Sequence, residues 1–149
     1  MSEDKLVAPT FPVTARFPDD AKAEIQPSVV AVGDVPVNLV VVTRIAQRAR
    51  LHAVALSPND AIRSLPVLKP MIVILDGGVD DRQYDALLDV IRDNRQKNGQ
   101  GHPRLLYLSA GQAKEAQSRR HPVFDAVVSK PILPERLEAA LSQLAGQSR

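Results

Sequence analysis

"PMIVILDGGVDD", residues 70–81, decides how this chain folds. Five apolar residues, Met71 to Leu75, run straight into Asp76, and Gly77 and Gly78 follow. A near-continuous β-branched run of this length reads as a strand buried on both faces, the habit of a parallel sheet. A carboxylate closing such a strand is costly unless it is paired. Asp76 therefore marks the end of this strand as a place to look for chemistry.

Working outward, four similar runs flank the first: "SVVAV" (28–32), "HAVAL" (52–56), "RLLYL" (104–108) and "FDAVV" (124–128). Between them lie segments of helical period. Val42, Ile45, Ala46 and Ala49 fall at i, i+3, i+4, i+7, as do Tyr84, Leu87, Leu88 and Ile91, and again Leu137, Ala140, Leu141 and Leu144. Shorter helices are expected at "NDAIRSL" (59–65) and "GQAKEAQSRR" (111–120). Pro134 suits the first turn of the last helix, and Glu135 suits its dipole. Strand and helix alternating five times predict an α/β fold, a doubly wound (βα)5 sandwich of the flavodoxin-like kind around a five-stranded parallel sheet. Residues 28–145 make up this domain. Residues 1–27, with four of the twelve prolines and no sustained period, read as a disordered or extended arm, and 146–149 as a polar tail.

Composition narrows the function. Apolar residues make up 44% of the 149 and charged residues 24%, ordinary for a globular domain. With no cysteine, disulfides and thiolate metal sites are excluded. The net charge is +2 and aromatics are 3%, so direct nucleic-acid binding is not expected; the clusters "RIAQRAR" (44–50) and "SRRH" (118–121) read as solvated helix faces. No apolar run is long enough to span a bilayer, and "MSEDKLVAPT" lacks the order of a signal peptide. A cytoplasmic protein without membrane contact is the expectation.

In doubly wound sheets, ligands gather beyond the carboxyl ends of the strands. Here the strands end in Asp34, Ser57, Asp76, Ser109 and Lys130. Each has a modest explanation alone: Asp34 a turn before Pro36, Ser109 a helix cap, Lys130 an exposed loop. Together they have a chemical logic. Two neighbouring carboxylates repel unless a cation lies between them, and Mg²⁺ favours such oxygen ligands. A lysine ammonium and a serine hydroxyl then suit the oxygens of a phosphoryl group, and Asp76 becomes the nucleophile.

At these residues the chain resembles the receiver domain of two-component response regulators, and in its tail "FDAVVSKPILPERLEAAL" the receivers of hybrid histidine kinases. "GDVPVN" (33–38) is similar to the family's acidic first loop, "ILD" to its phosphoacceptor strand, "LSA" (108–110) and "SKP" (129–131) to its hydroxyl and lysine steps. The resemblance implies strand order 2-1-3-4-5 and phosphorylation of Asp76 by a histidine kinase or histidine phosphotransfer protein. It implies Mg²⁺ held by Asp34, Asp76 and the Gly78 carbonyl, and phosphate contacts from Ser109 and Lys130. It also implies a signalling module that is not an enzyme, acting on a downstream protein partner, with homodimerisation one form of that interaction.

Departures from the pattern are as informative. Gly33 stands where the family carries the first of two acids, which predicts weakened Mg²⁺ binding. Val79 and Asp80 replace the usual Met-Pro pair; the two glycines before them predict a loose loop, and Asp80 and Asp81 are expected to cap the third helix. Val127 takes the place of the aromatic three residues before the lysine, while Phe124 reads as a core residue leading into the strand. A phosphorylation-independent pseudo-receiver, used for docking or dimerisation, is the alternative. A flavodoxin-type or cyclic-dinucleotide binder is disfavoured, since no Gly-rich turn opens the first helix.

Overall fold

Val29–Val32, Ala53–Leu56, Ile72–Asp76, Arg104–Ser109 and Ala126–Ser129 are strands β1 to β5 of one parallel sheet, in the order β2-β1-β3-β4-β5. The computed structural model describes residues 27–78, 81–98, 101–110 and 122–147. The arm expected over 1–27, apart from Pro27, lies outside the described residues, and so does the helix expected over 111–120. The helices are α1 (Pro36–Arg48), α2 (Pro58–Leu68), α3 (Asp85–Asn98, preceded by a 3₁₀ turn at Arg82–Tyr84) and α4 (Pro134–Gln147). The last reaches into the segment expected as a polar tail.

Strands with side chains buried on alternating faces explain why the apolar runs are continuous. Val29 and Ala31 of β1 and Ile72 and Ile74 of β3 meet Leu39, Val42 and Ile45 of α1 and Leu137, Leu141 and Leu144 of α4. Their neighbours Val30, Val32, Val73 and Leu75 face the other way, onto Ala61 and Leu65 of α2 and Leu87 and Ile91 of α3. A central strand must satisfy both cores at once, and β3 is buried along its whole length, Asp76 included.

Local signals set the helix starts. Pro36 occupies the first turn of α1, and Ser57 caps α2 by accepting the Asp60 N–H at 3.2 Å. This cap extends α2 beyond the expected 59–65. Pro66 lies inside it near the end, and the helix closes at Lys69 in a left-handed turn (φ 49°).

At the amino ends of the strands, one arginine holds several elements together. Arg95 of α3 donates to the Pro103 carbonyl at 2.9 Å, the Val123 carbonyl at 3.1 Å and the Asp125 carboxylate at 2.5 Å. Asp125 also accepts the Leu105 N–H at 2.7 Å. This clamp lies at the opposite end of the sheet from Asp76, Ser109 and Lys130.

Candidate functional site

Register brings the rim together. Val32 of β1 pairs with Leu75 of β3, so Gly33 arrives beside Asp76; Ser109 at the end of β4 pairs with Ser129 of β5, so Lys130 emerges next to it. The Lys130 N–H donates to the Ser109 carbonyl at 2.9 Å, extending the ladder one step. Lys130 then turns its side chain back over the sheet. Its Nζ lies 2.6 Å from Oδ1 of Asp76 and donates to the Gly77 carbonyl at 2.6 Å. Asp76 is buried at 7% exposure and Ser109 is fully buried. A carboxylate this deep needs a partner, and the ammonium is one.

The second carboxylate oxygen is met by the last residue of the "GDVPVN" stretch, to which sequence reasoning gives no role of its own. Asn38, half-buried in α1, donates from Nδ2 to Oδ2 of Asp76 at 3.1 Å. Asp34 is exposed just beyond Gly33. It lies close enough to add to the electrostatic pressure on the Tyr84 phenol, as do Asp76 and Asp81.

Gly33 has structural consequences of its own. A β-carbon there would lie 2.9 Å from Cβ of Asp76 and 3.3 Å from a Leu39 methyl. The strand end sits too close to Asp76 for the side chain that the receiver pattern puts at this position.

The loop after β3 differs from its expectation. Gly77 is not there for looseness: a β-carbon would lie 2.4 Å from both the Leu108 carbonyl oxygen and Cζ of Tyr107. The Gly77 N–H donates to that same carbonyl at 2.9 Å. Close approach of two backbones, with a tyrosine ring against them, excludes any side chain. Gly78 has open space around it.

Asp81 does not cap the following helix either. Its Oδ1 accepts the Gly78 N–H at 2.8 Å, and its Oδ2 accepts the Tyr107 hydroxyl. It closes the loop backwards onto β4. Asp80 lies outside the described residues.

Two tyrosines underlie this loop. The Tyr84 hydroxyl donates to the Asp76 carbonyl at 2.7 Å and lies 3.4 Å from the Val32 carbonyl. Burial first, then the charges of Asp76, Asp34 and Asp81, push its ionisation well above the ordinary phenol range. Tyr107 is pushed the same way, by burial and then by its hydrogen bond to Asp81. Its ring stacks on Phe124, with centroids 4.6 Å apart and planes 6° from parallel. Phe124 thus packs where expected, just ahead of β5, and Val127 is buried in the core. A buried tyrosine needs a partner for its hydroxyl; that rule flags both tyrosines in the sequence but not which acceptors they reach.

The donor set can be tested for a hard cation. Mg²⁺ is ordinarily held by one or two carboxylates, with water completing the shell. Asp76, Asp34 and the Gly78 carbonyl supply oxygen of that class on one rim. Among the described residues no group of three or more acids or histidines is arranged to hold a metal ion. Two carboxylates and a carbonyl are oxygen donors of the class Mg²⁺ takes, and water would have to supply the rest of its shell.

No family model matches the chain, and no curated protein matches it. Solved structures do. The signal receiver domain of a putative Luxo repressor protein from Vibrio parahaemolyticus superimposes with a TM-score of 0.63 at 20% identity, over 83% of this chain and 93% of that one. Chemotaxis protein CheY4 of Vibrio cholerae gives 0.63 at 18% identity, over 80% and 99%. The pseudo-receiver domain of the CikA protein gives 0.55 at 18% identity, over 80% and 97%. The described helices include none long and apolar enough to cross a membrane. At these identities the likeness carries architecture alone, and the chain has the response-regulator receiver fold.

Proposed function

We propose that this chain is an atypical receiver module of two-component signal transduction, with Asp76 as its phosphoryl acceptor. The contact that supports this most directly is the 2.6 Å approach of Lys130 Nζ to Asp76 Oδ1, with Ser109 on the adjoining strand end. In the transfer, the nitrogen–phosphorus bond of a phosphohistidine on a kinase or phosphotransfer protein breaks. Its electron pair returns to the imidazole as a bond forms from an Asp76 oxygen to phosphorus. In this reading Lys130 balances the charge on the transferred group, and the Ser109 hydroxyl hydrogen-bonds a phosphoryl oxygen. Asp34, Asp76 and the Gly78 carbonyl would hold Mg²⁺, whose charge neutralises the phosphoryl oxygens.

Output is a change in protein–protein affinity. Val37, Val40 and Val41, spaced i, i+3 and i+4 on α1, and Leu133 before α4 are exposed apolar residues open to a partner. Val127 removes the aromatic that usually follows the hydroxyl inward. The loop carrying Gly78 is instead tied through Asp81 to Tyr107, and through ring stacking to Phe124.

A phosphorylation-independent pseudo-receiver is the second reading. It is favoured by the closed space over Gly33 and by the likeness to a neighbour that is itself a pseudo-receiver domain. Incubation with acetyl phosphate and Mg²⁺, read by mass spectrometry, separates the two. A phosphoryl adduct that maps to Asp76 and is lost in Asp76→Asn supports the acceptor. An unmodified chain at millimolar Mg²⁺ leaves the docking module.

A further inference from the structure

Asp76 is gripped from two sides. Lys130 meets Oδ1 at 2.6 Å, and Asn38 Nδ2 donates to Oδ2 at 3.1 Å. The atom that Asn38 presents must be its nitrogen, because an ionised carboxylate only accepts. The backbone holds Asn38 in place: its N–H donates to the Val35 carbonyl at 3.0 Å in the first turn of α1. Gly33 packs against the same carboxylate. A β-carbon at 33 would itself lie 3.4 Å from Oδ2, on the side of the carboxylate that the amide serves.

Resting on the reading of Asp76 as acceptor and cation ligand, we infer that Asn38 is a positioning residue that holds Oδ2 of Asp76 in the metal-free protein and competes with a divalent cation for it. An N–H donor and a cation seek the same lone pairs. Whatever the amide contributes when no metal is bound is subtracted from the gain when metal binds. The lysine acts on the other oxygen and leaves this competition to Asn38. A carboxylate at 38 would reverse the effect, adding an acid beside Asp76 that only a cation can reconcile with it.

The test has a metal-free arm and a metal arm, both by amide NMR on the full chain. Without metal, one Asn38 Nδ2 proton is expected downfield and slow to exchange, and to lose both properties in Asp76→Ala. In a titration with Mg²⁺ alone, followed at the Gly78 amide, Asn38→Ala is expected to bind about three- to tenfold more tightly than the unaltered chain, the worth of one hydrogen bond. Asn38→Asp is expected to exceed Asn38→Ala. Side-chain amide protons unmoved by Asp76→Ala would overturn the inference. So would an Asn38→Ala affinity no higher than that of the unaltered chain, including no binding by either. Acetyl phosphate labelling of the unaltered chain reads the acceptor role separately. Labelling with unchanged Mg²⁺ affinity in Asn38→Ala sinks only the role of Asn38. Tighter Mg²⁺ binding in Asn38→Ala with no labelling of Asp76 sinks only the acceptor.

Discussion

Replacing Lys130 with methionine keeps the stem and removes the charge. Asp76, whose side chain is only 4% exposed, would then lose its cation, and the Gly77 carbonyl would lose its lysine donor. Breaking a fully buried ion pair from one side costs about 3–5 kcal/mol. Lys130 is 25% exposed, so water softens the loss, and about 2–3 kcal/mol is expected. At a urea slope of roughly 1.5 kcal/mol/M this lowers the midpoint by about 1–2 M. The sign of a second substitution is the sharper test. Asp76→Asn alone removes one partner of a working pair and destabilises. Introduced into Lys130→Met, it discharges a stranded carboxylate and restores stability, giving a coupling of about 1–2 kcal/mol in the double-mutant cycle. Such a coupling persists in 1 M salt, where screening removes exposed pairs such as Arg63–Asp60 but reaches a buried one far less. Additive effects, within roughly 0.5 kcal/mol, would show that the contact contributes nothing and remove the main support for a built site.

Other parts of the structure make independent predictions. Gly77→Ala places a methyl group 2.4 Å from a backbone oxygen and is expected to lower stability by about 2 kcal/mol or more, whereas Gly78→Ala, with open space, is neutral or gains up to about 1 kcal/mol; urea unfolding of both variants checks the contrast. Tyr84 and Tyr107 are the only tyrosines, so tyrosinate absorbance reports both. Each folded phenol ionises above its ordinary value of 10.0, so the unfolded chain releases these protons first and stability falls as the pH rises past about 10; phenolate should appear together with loss of circular dichroism, not before it. Arg95→Met is expected to cost about 2–4 kcal/mol by removing a charged donor from two carbonyls and from Asp125, while leaving the proposed Mg²⁺ titration at Gly78 unchanged because the clamp lies at the far end of the sheet; urea unfolding and the NMR titration measure the two halves.

The architecture was legible because period-two burial on a two-sided sheet leaves a loud signature. A run such as Ile72 to Leu75 serves two cores at once, and no helix or edge strand demands that. Position along a strand was legible too, which is why Asp76, Ser109 and Lys130 meet at one rim. The contacts made after the strands end were not. That Asn38 would reach back from a helix to Asp76, or that Asp81 would face β4 instead of the helix it precedes, depends on how closely backbones approach, and composition does not encode it. Gly77 illustrates the difference. Its residue type signals freedom in the unfolded chain, yet its reason in the fold is the want of room between Leu108 and Tyr107.

Gly33, Asn38, Lys130 and Asp81 are best understood as one electrostatic arrangement. Three acids in fixed proximity carry a charge that only a divalent cation can balance, so a rim built that way is strained whenever metal is absent. Here the first acid is missing and cannot be restored without displacing Asp76. The charge of Asp76 is met by Lys130 on one oxygen and by an amide dipole on the other. Asp81 is satisfied by a backbone N–H and a phenol, and Asp34 faces solvent. A rim balanced in this way depends less on a cation to offset its charges. The consequence runs in one direction: the less a resting site needs metal, the more each metal-dependent step must displace. Asn38→Asp, which keeps the shape of the side chain, should therefore raise cation affinity at the expense of metal-free stability, whereas Gly33→Asp, where a β-carbon would lie 2.9 Å from that of Asp76, should lose stability with or without Mg²⁺.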